Sequence, residues 1–142
     1  LDKQSRPSPG YLPVFHVHGF LPQEKDEAFD KNVVLSEDEY HSLYNDVFHW
    51  ANIEQLHALA QTTCFFIGLS MKDPNLRRLL DVANERGCQT PAHYAFLRRG
   101  EYKDPTKAEE IFYGMGVNVI WFEEFSDLPL LISELAGLSN DI

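Results

Sequence analysis

Basic charge, cysteine and long apolar runs are all scarce in this chain of 142 residues. Twelve Lys and Arg face 22 Asp and Glu, a net charge of −10. An acidic surface of that size repels phosphate backbones and disfavours nucleic-acid binding. A small nucleotide escapes the exclusion, because backbone amides at a helix N-terminus hold phosphates whatever the global charge. The two cysteines, Cys64 and Cys88, form no CxxC pair, which argues against a disulfide framework or a cysteine-based zinc site. As free thiols they suit a reducing cytoplasm. No apolar run approaches the ~20 residues of a membrane-spanning helix. GxSxG, HExxH, P-loop and GxGxxG motifs are all missing. The opening residues, ending in SRPSPG, carry no signal-peptide pattern and look like the interior of a longer protein.

What is present is a globular balance, 44% hydrophobic and 24% charged, enough for one domain with a core. The organising stretch is Thr63 to Leu80, TCFFIGLSMKDPNLRRLL. Cys64 to Ile67 read as a strand covered on both faces, and Gly68 and Ser70 as a tight turn. Asp73 is a good N-cap and Pro74 suits the first helical position. Leu76, Leu79, Leu80 and Ala83 then share the face turned toward a sheet. Such a strand–turn–helix is where open α/β sheets bind ligands, and equally how they are built where they bind nothing.

Upstream, Leu1 to Gly10 reads as a linker or frayed end. Val14 to His18 alternates as a short strand, with His16 and His18 on one face. Pro22 to Lys31 reads as a loop and Asn32 to Leu35 as a second strand. Ser36-Glu37-Asp38-Glu39 is a capping box, opening a helix whose stripe is Tyr40, Leu43, Tyr44, Val47 and Phe48. A second helix spans about Ile53 to Ala60. Downstream, Gly87 stops a helix and His93 to Leu97 forms a strand. Asp104 and Pro105 start a helix burying Ala108, Ile111, Phe112 and Met115. Val117 to Phe122 is a strand, and Ser126 or Asp127 caps a last helix bearing Leu131, Ile132 and Leu135. From Thr62 onward the order is β-α-β-α-β-α, which implies a parallel sheet with helices packed on its faces.

His18, followed by Gly19, is the sharpest candidate for chemistry. At a strand end its imidazole could take a proton from a hydroxyl or a water; a structural histidine is the plainer alternative. His16 and His18 could instead share a metal in a hydrolase, with His41 or Asp73 as scattered candidates for a third ligand. His41, His49, His57 and His93 show no ligand spacing and read as surface or semi-buried. Arg77, Arg78, Arg98 and Arg99 could meet phosphate but are more simply solvated.

HVHG at 16–19, VVLSEDEY at 33–40 and FFIGLSMKDPNLRRLL at 65–80 together resemble the sirtuin-like domains of bacterial defence proteins. The resemblance covers about Val14 to Phe122. It implies a Rossmann-like parallel sheet with helices on both faces, binding NAD as substrate and cleaving its nicotinamide–ribose bond. His18 matches the general base, with Gly19 beside it. Gly68 and Ser70 match the turn along the NAD ribose and phosphates, and Asp73 lies in the matching Asp-Pro-Asn segment. Cys64 is the one cysteine between the His-Gly strand and that turn, and residues 20–61 stand as a helical insertion where the deacylases carry a zinc ribbon. This departure implies no zinc and points to the zinc-free branch of NAD hydrolases active in antiphage defence. A Gly-Ala-Gly phosphate turn and a strand ending in Asn or Asp are missing, so residues 1–142 resemble the carboxyl-terminal part of the domain. The implied partners are NAD or an ADP-ribose-type nucleotide, the amino-terminal half of the domain and other domains of the parent protein, with a homo-oligomer as a further option. A catalytically idle nucleotide-binding or scaffolding module is the rival reading.

Overall fold

A computed structural model describes residues 13–20, 33–85 and 93–138. The chain forms two compact units, Leu1–Ala51 and Asn52–Ile142. The expected linker at 1–10, the loop at 22–31, the helix stop at Gly87 and Cys88 all lie outside the described residues.

In the first unit the expected capping box is present and starts α1 (Glu37–Asn45). Ser36 Oγ accepts from the Glu39 N–H at 3.2 Å, and Glu39 Oε2 accepts from the N–H groups of Ser36 and Leu35 at 3.0 and 2.8 Å. These backbone donors, first Leu35 and then Ser36, hold the Glu39 carboxyl below its ordinary range. The helix is shorter than its apolar stripe suggests. Asp46 ends it, and its Oδ1 accepts from the Phe48 N–H at 3.0 Å. That local side-chain bond competes with another helical turn and leaves Val47 and Phe48 exposed.

The two strands expected upstream do not form among the described residues. Val14 to His16 is irregular, and the Gly19 N–H closes a turn onto the His16 carbonyl at 2.9 Å. Gly19 has φ +85°, a conformation glycine adopts without penalty. One backbone bond, Val34 N–H to His18 O at 2.9 Å, ties the turn to 33–35. The alternating pattern has no buried face to satisfy, since Val14 and Phe15 are both exposed.

The second unit is α/β, as its β-α-β-α-β-α order implies. Helix α2 (Trp50–Gln61) leads into β1 (Phe65–Phe66), α3 (Pro74–Glu85), β2 (His93–Arg98), α4 (Pro105–Gly114), β3 (Val117–Phe122) and α5 (Leu128–Leu138). The strands are parallel and ordered β1-β2-β3. Phe65 pairs with Tyr94, and β2 pairs with β3 from His93–Val117 through Arg98–Phe122. Their carboxyl ends therefore emerge on one side. Helices pack around this sheet over a core of Phe66, Met71, Leu76, Leu79, Leu80, Ala95, Leu97, Phe112 and Val117. Each fully buried Leu or Phe contributes roughly 1.5–3 kcal/mol.

Several expected core positions are open. Phe65 is 50% and Ile67 43% exposed, so β1 is covered on one face only. Phe65 stacks on Tyr94, with ring centroids 5.4 Å apart. Ile111, Ile132 and Leu135 are also exposed, because α4 and α5 bury narrower stripes than their sequences offer. His93 departs in the other direction. It is buried, its Nδ1 accepting from the Cys64 N–H at 3.2 Å and its ring edge-on to Phe66. Burial pushes its pKa down, and burial likewise pushes the Cys64 thiol up.

Candidate functional site

The segment after β1 is shaped by two left-handed residues. Gly68 has φ +74° and Met71 φ +56°. For methionine this conformation costs on the order of 1–2 kcal/mol, and its fully buried side chain offsets the cost. Two side chains from outside the turn hold its carbonyls. The Tyr102 hydroxyl donates to Ser70 O at 2.9 Å, and Arg77 Nε donates to Met71 O at 2.7 Å. Tyr102 is fixed edge-on against Phe112 and Trp121, and Arg77 lies over the Phe112 ring. Burial first, then the charge of Glu101, raises the Tyr102 pKa, so it remains a donor at neutral pH.

Asp73 has the capping role expected of it. Its Oδ1 accepts from the Asn75 N–H at 2.8 Å, while its carbonyl accepts from the Arg77 N–H at 3.1 Å. Asn75 is buried; its amide donates to Asn52 Oδ1 at 2.9 Å and its Oδ1 accepts from Arg78 at 2.8 Å. The start of α3 is thus anchored to α2 through side-chain amides.

A pocket of about 190 Å³ opens at the carboxyl ends of the three strands. Gly68, Leu69 and Ser70 form one side; Phe96, Leu97 and Arg98 from β2, Phe122 from β3, then Glu101, Phe125 and Leu128 complete it. Crevices at this position are the usual ligand sites of open parallel sheets. The volume exceeds the ~150 Å³ cavity that holds one benzene and falls short of the ~300 Å³ of whole-ligand sites, so it suits one ring system. Arg98 is paired and only partly solvated, where its sequence position suggests a simply solvated side chain. Its Nε donates to Glu123 O at 2.9 Å, its Nη2 meets Glu124 Oε2 at 3.0 Å, and its guanidinium lies 5.3 Å from the Phe125 ring centroid. Arg99 is paired with Glu123 at 3.3 Å and lies over Trp121.

The family comparison fits this geometry. The model of the SIR2-like domain matches residues 1–120. The chain belongs to the SIR2-like domain family. This family is NAD-related, and its Rossmann-type fold agrees with the parallel sheet of the second unit. Comparison with curated proteins and with solved structures returns no match.

In this SIR2-like chain, Gly68 and Ser70 are brought together in the pocket lining, and Asp73 caps the helix that follows. His18 and Gly19 belong to the first unit. His18 is exposed on the turn, with its ring 6.3 Å from that of Tyr40. Among the described residues no group of three His, Cys, Asp or Glu is placed to hold a metal ion. No helix among them is long and apolar enough to cross a membrane. Sequence reasoning missed Arg98 as an ion-paired lining residue, and missed Glu101, Phe125 and Tyr102 altogether. The available signal was position: Arg98 ends β2, and Glu101, Tyr102 and Phe125 follow a strand within a few residues, at the end where the sheet opens.

Proposed function

We propose that this chain supplies part of an NAD site whose complete form cleaves the nicotinamide–ribose bond. The observation that carries the reading is the pocket at the strand ends of a SIR2-like sheet, lined by Gly68 and Ser70. One ring system and its ribose would sit there, with the phosphates along the Gly68–Ser70 turn near the start of α3. His18 is the group we assign to catalysis, taking a proton from a ribose hydroxyl or water as nicotinamide leaves through an oxocarbenium-like state. Gly19 keeps the backbone beside it free of a side chain.

We read the chain as the carboxyl-terminal part of the domain, because no Gly-Ala-Gly turn occurs in its sequence. The zinc-free pattern, with Cys64 alone between HVHG and the turn, supports placement among defence proteins that deplete NAD during phage infection. The deciding measurement is nicotinamide release by the full-length protein. His18→Ala should lower it by about 10²–10⁴-fold, the usual contribution of a general base. Equal rates for the two proteins would remove His18 from the mechanism. The exposure of His18 favours a second reading, a nucleotide-binding module without turnover. NAD binding seen by calorimetry, with no nicotinamide released, would establish that alternative.

A further inference from the structure

The backbone from Gly68 to Lys72 is held by side chains. Among the described residues none of its amides or carbonyls bonds to other backbone. Left-handed Gly68 and Met71 bend it, and two side chains from elsewhere in the fold grip consecutive carbonyls. The Tyr102 hydroxyl takes Ser70 O at 2.9 Å and Arg77 Nε takes Met71 O at 2.7 Å. A trans peptide is rigid and planar, and its N–H is directed opposite to its C=O. Drawing the Ser70 carbonyl to Tyr102 therefore turns the Met71 N–H to the other side of the chain. Drawing the Met71 carbonyl to Arg77 does the same for the Lys72 N–H.

Tyr102 is placed to transmit position and not to touch a ligand. Its ring stands edge-on to Phe112 of α4 and to Trp121 of β3, with centroids 6.2 and 5.4 Å away. It is absent from the pocket lining, whereas its neighbour Glu101 and its acceptor Ser70 both belong to that lining. Tyr102 thus ties the segment after β2 to the segment after β1, two sides of one pocket, and sets both against α4 and β3. Resting on the NAD reading above, we propose that Tyr102 is a positioning residue of that site: acting through the Ser70 carbonyl, its hydroxyl fixes the Ser70–Met71 peptide and with it the wall this turn presents to the nucleotide. Without the hydroxyl that peptide is free to rotate, and a ligand has to order it on binding.

The test is calorimetric titration of the full-length protein with NAD, beside Tyr102→Phe, which loses the hydroxyl and keeps the ring. In the variant Kd should rise by about three- to tenfold at unchanged stoichiometry. Where NAD is turned over, KM should rise by the same factor with kcat retained. A role in folding alone has a different signature, because an unfolded fraction lowers stoichiometry and kcat and leaves the Kd of the folded remainder as it was. That signature overturns the proposal. The grip is also read without nucleotide: the Ser70 carbonyl-carbon NMR resonance should shift in Tyr102→Phe, and an unmoved resonance overturns the proposal. Arg77→Met, which removes the second donor, should weaken NAD binding in the same way and carries the test if Tyr102→Phe fails to fold. NAD binding of equal strength in the unmodified protein and folded Tyr102→Phe overturns the role of Tyr102 and leaves the NAD site standing. Binding of no NAD by the unmodified protein overturns the NAD reading and the proposal with it.

Discussion

The two units of this chain use their apolar residues in opposite ways. In the carboxyl unit Phe66, Leu80, Phe112 and Val117 are buried between a parallel sheet and its helices. In the amino unit the described apolar residues Val14, Leu35, Val47 and Phe48 are exposed, and local hydrogen bonds define the structure. α1 is held at its start by a capping box and stopped by Asp46. One unit is specified by long-range packing; the other is held mostly by bonds spanning four residues or fewer, with Val34 N–H to His18 O as a longer tie. Capping bonds contribute about 0.5–2 kcal/mol each, whereas a packed aromatic contributes several, so the units should respond differently to the same kind of damage.

The largest effect is expected from Phe112→Ala. Phe112 is 2% exposed and carries both Tyr102 and Arg77 against its ring. Its loss should destabilise the carboxyl unit by about 3–5 kcal/mol, measured by chemical denaturation. A loss below about 1 kcal/mol would show that the core is not organised around this ring. Gly68→Ala comes next. The space around a Cβ there is open, so its cost is the left-handed backbone alone, about 1–2 kcal/mol. Hydrogen exchange should quicken in residues 68–71 while β2 and β3 keep their protection.

Ser36→Ala should cost about 1 kcal/mol and act only on α1. Exchange should rise across 37–45 with the carboxyl unit unchanged; a shared response would erase the distinction between the units. The gentlest probe is pH. The buried His93 has a lowered pKa, so its contribution is intact above the ordinary value of 6.5 and declines as pH falls below it. Glu39 also has a lowered pKa, so its capping bonds persist above 4.5 and are lost as pH falls through its depressed value. On acidification the carboxyl unit should weaken first and α1 uncap later, followed by residue-resolved exchange or NMR. His93→Asn, which retains an acceptor for the Cys64 N–H, should flatten the first phase. An unaltered profile in that variant would assign the phase to another group.

The same contrast explains what could be read from the sequence. The β-α-β-α-β-α order was legible because strands such as Val117–Phe122 are compact, mostly apolar runs, and because Asp73-Pro74 and Asp104-Pro105 announce helix starts. The Ser36–Glu39 box was legible for the same reason: its partners are neighbours in the chain. The strand expected at Val14–His18 was misread because alternation describes one strand, whereas a ladder needs a second. The stripe through Val47 and Phe48 ignored Asp46, whose side chain offers the backbone a competing bond. At the site, Gly68 and Ser70 lie in one motif, but Arg98, Glu101 and Phe125 converge on them only after three strands pair. No spacing along the chain encodes that convergence.

The order β1-β2-β3 follows the order of synthesis, with each strand pairing to the one made just before it. A nascent chain can therefore extend this sheet sideways, one crossover at a time, without waiting for a distant segment. Loop closure at each addition spans only the residues between consecutive strands, which keeps its entropic cost modest. The pocket is completed late among the described elements, because Phe122, Phe125 and Leu128 arrive with β3 and the start of α5. A ribosome-bound chain halted before β3 would hold the Gly68–Ser70 turn without its opposite wall, so the pocket should take shape only once β3 has emerged.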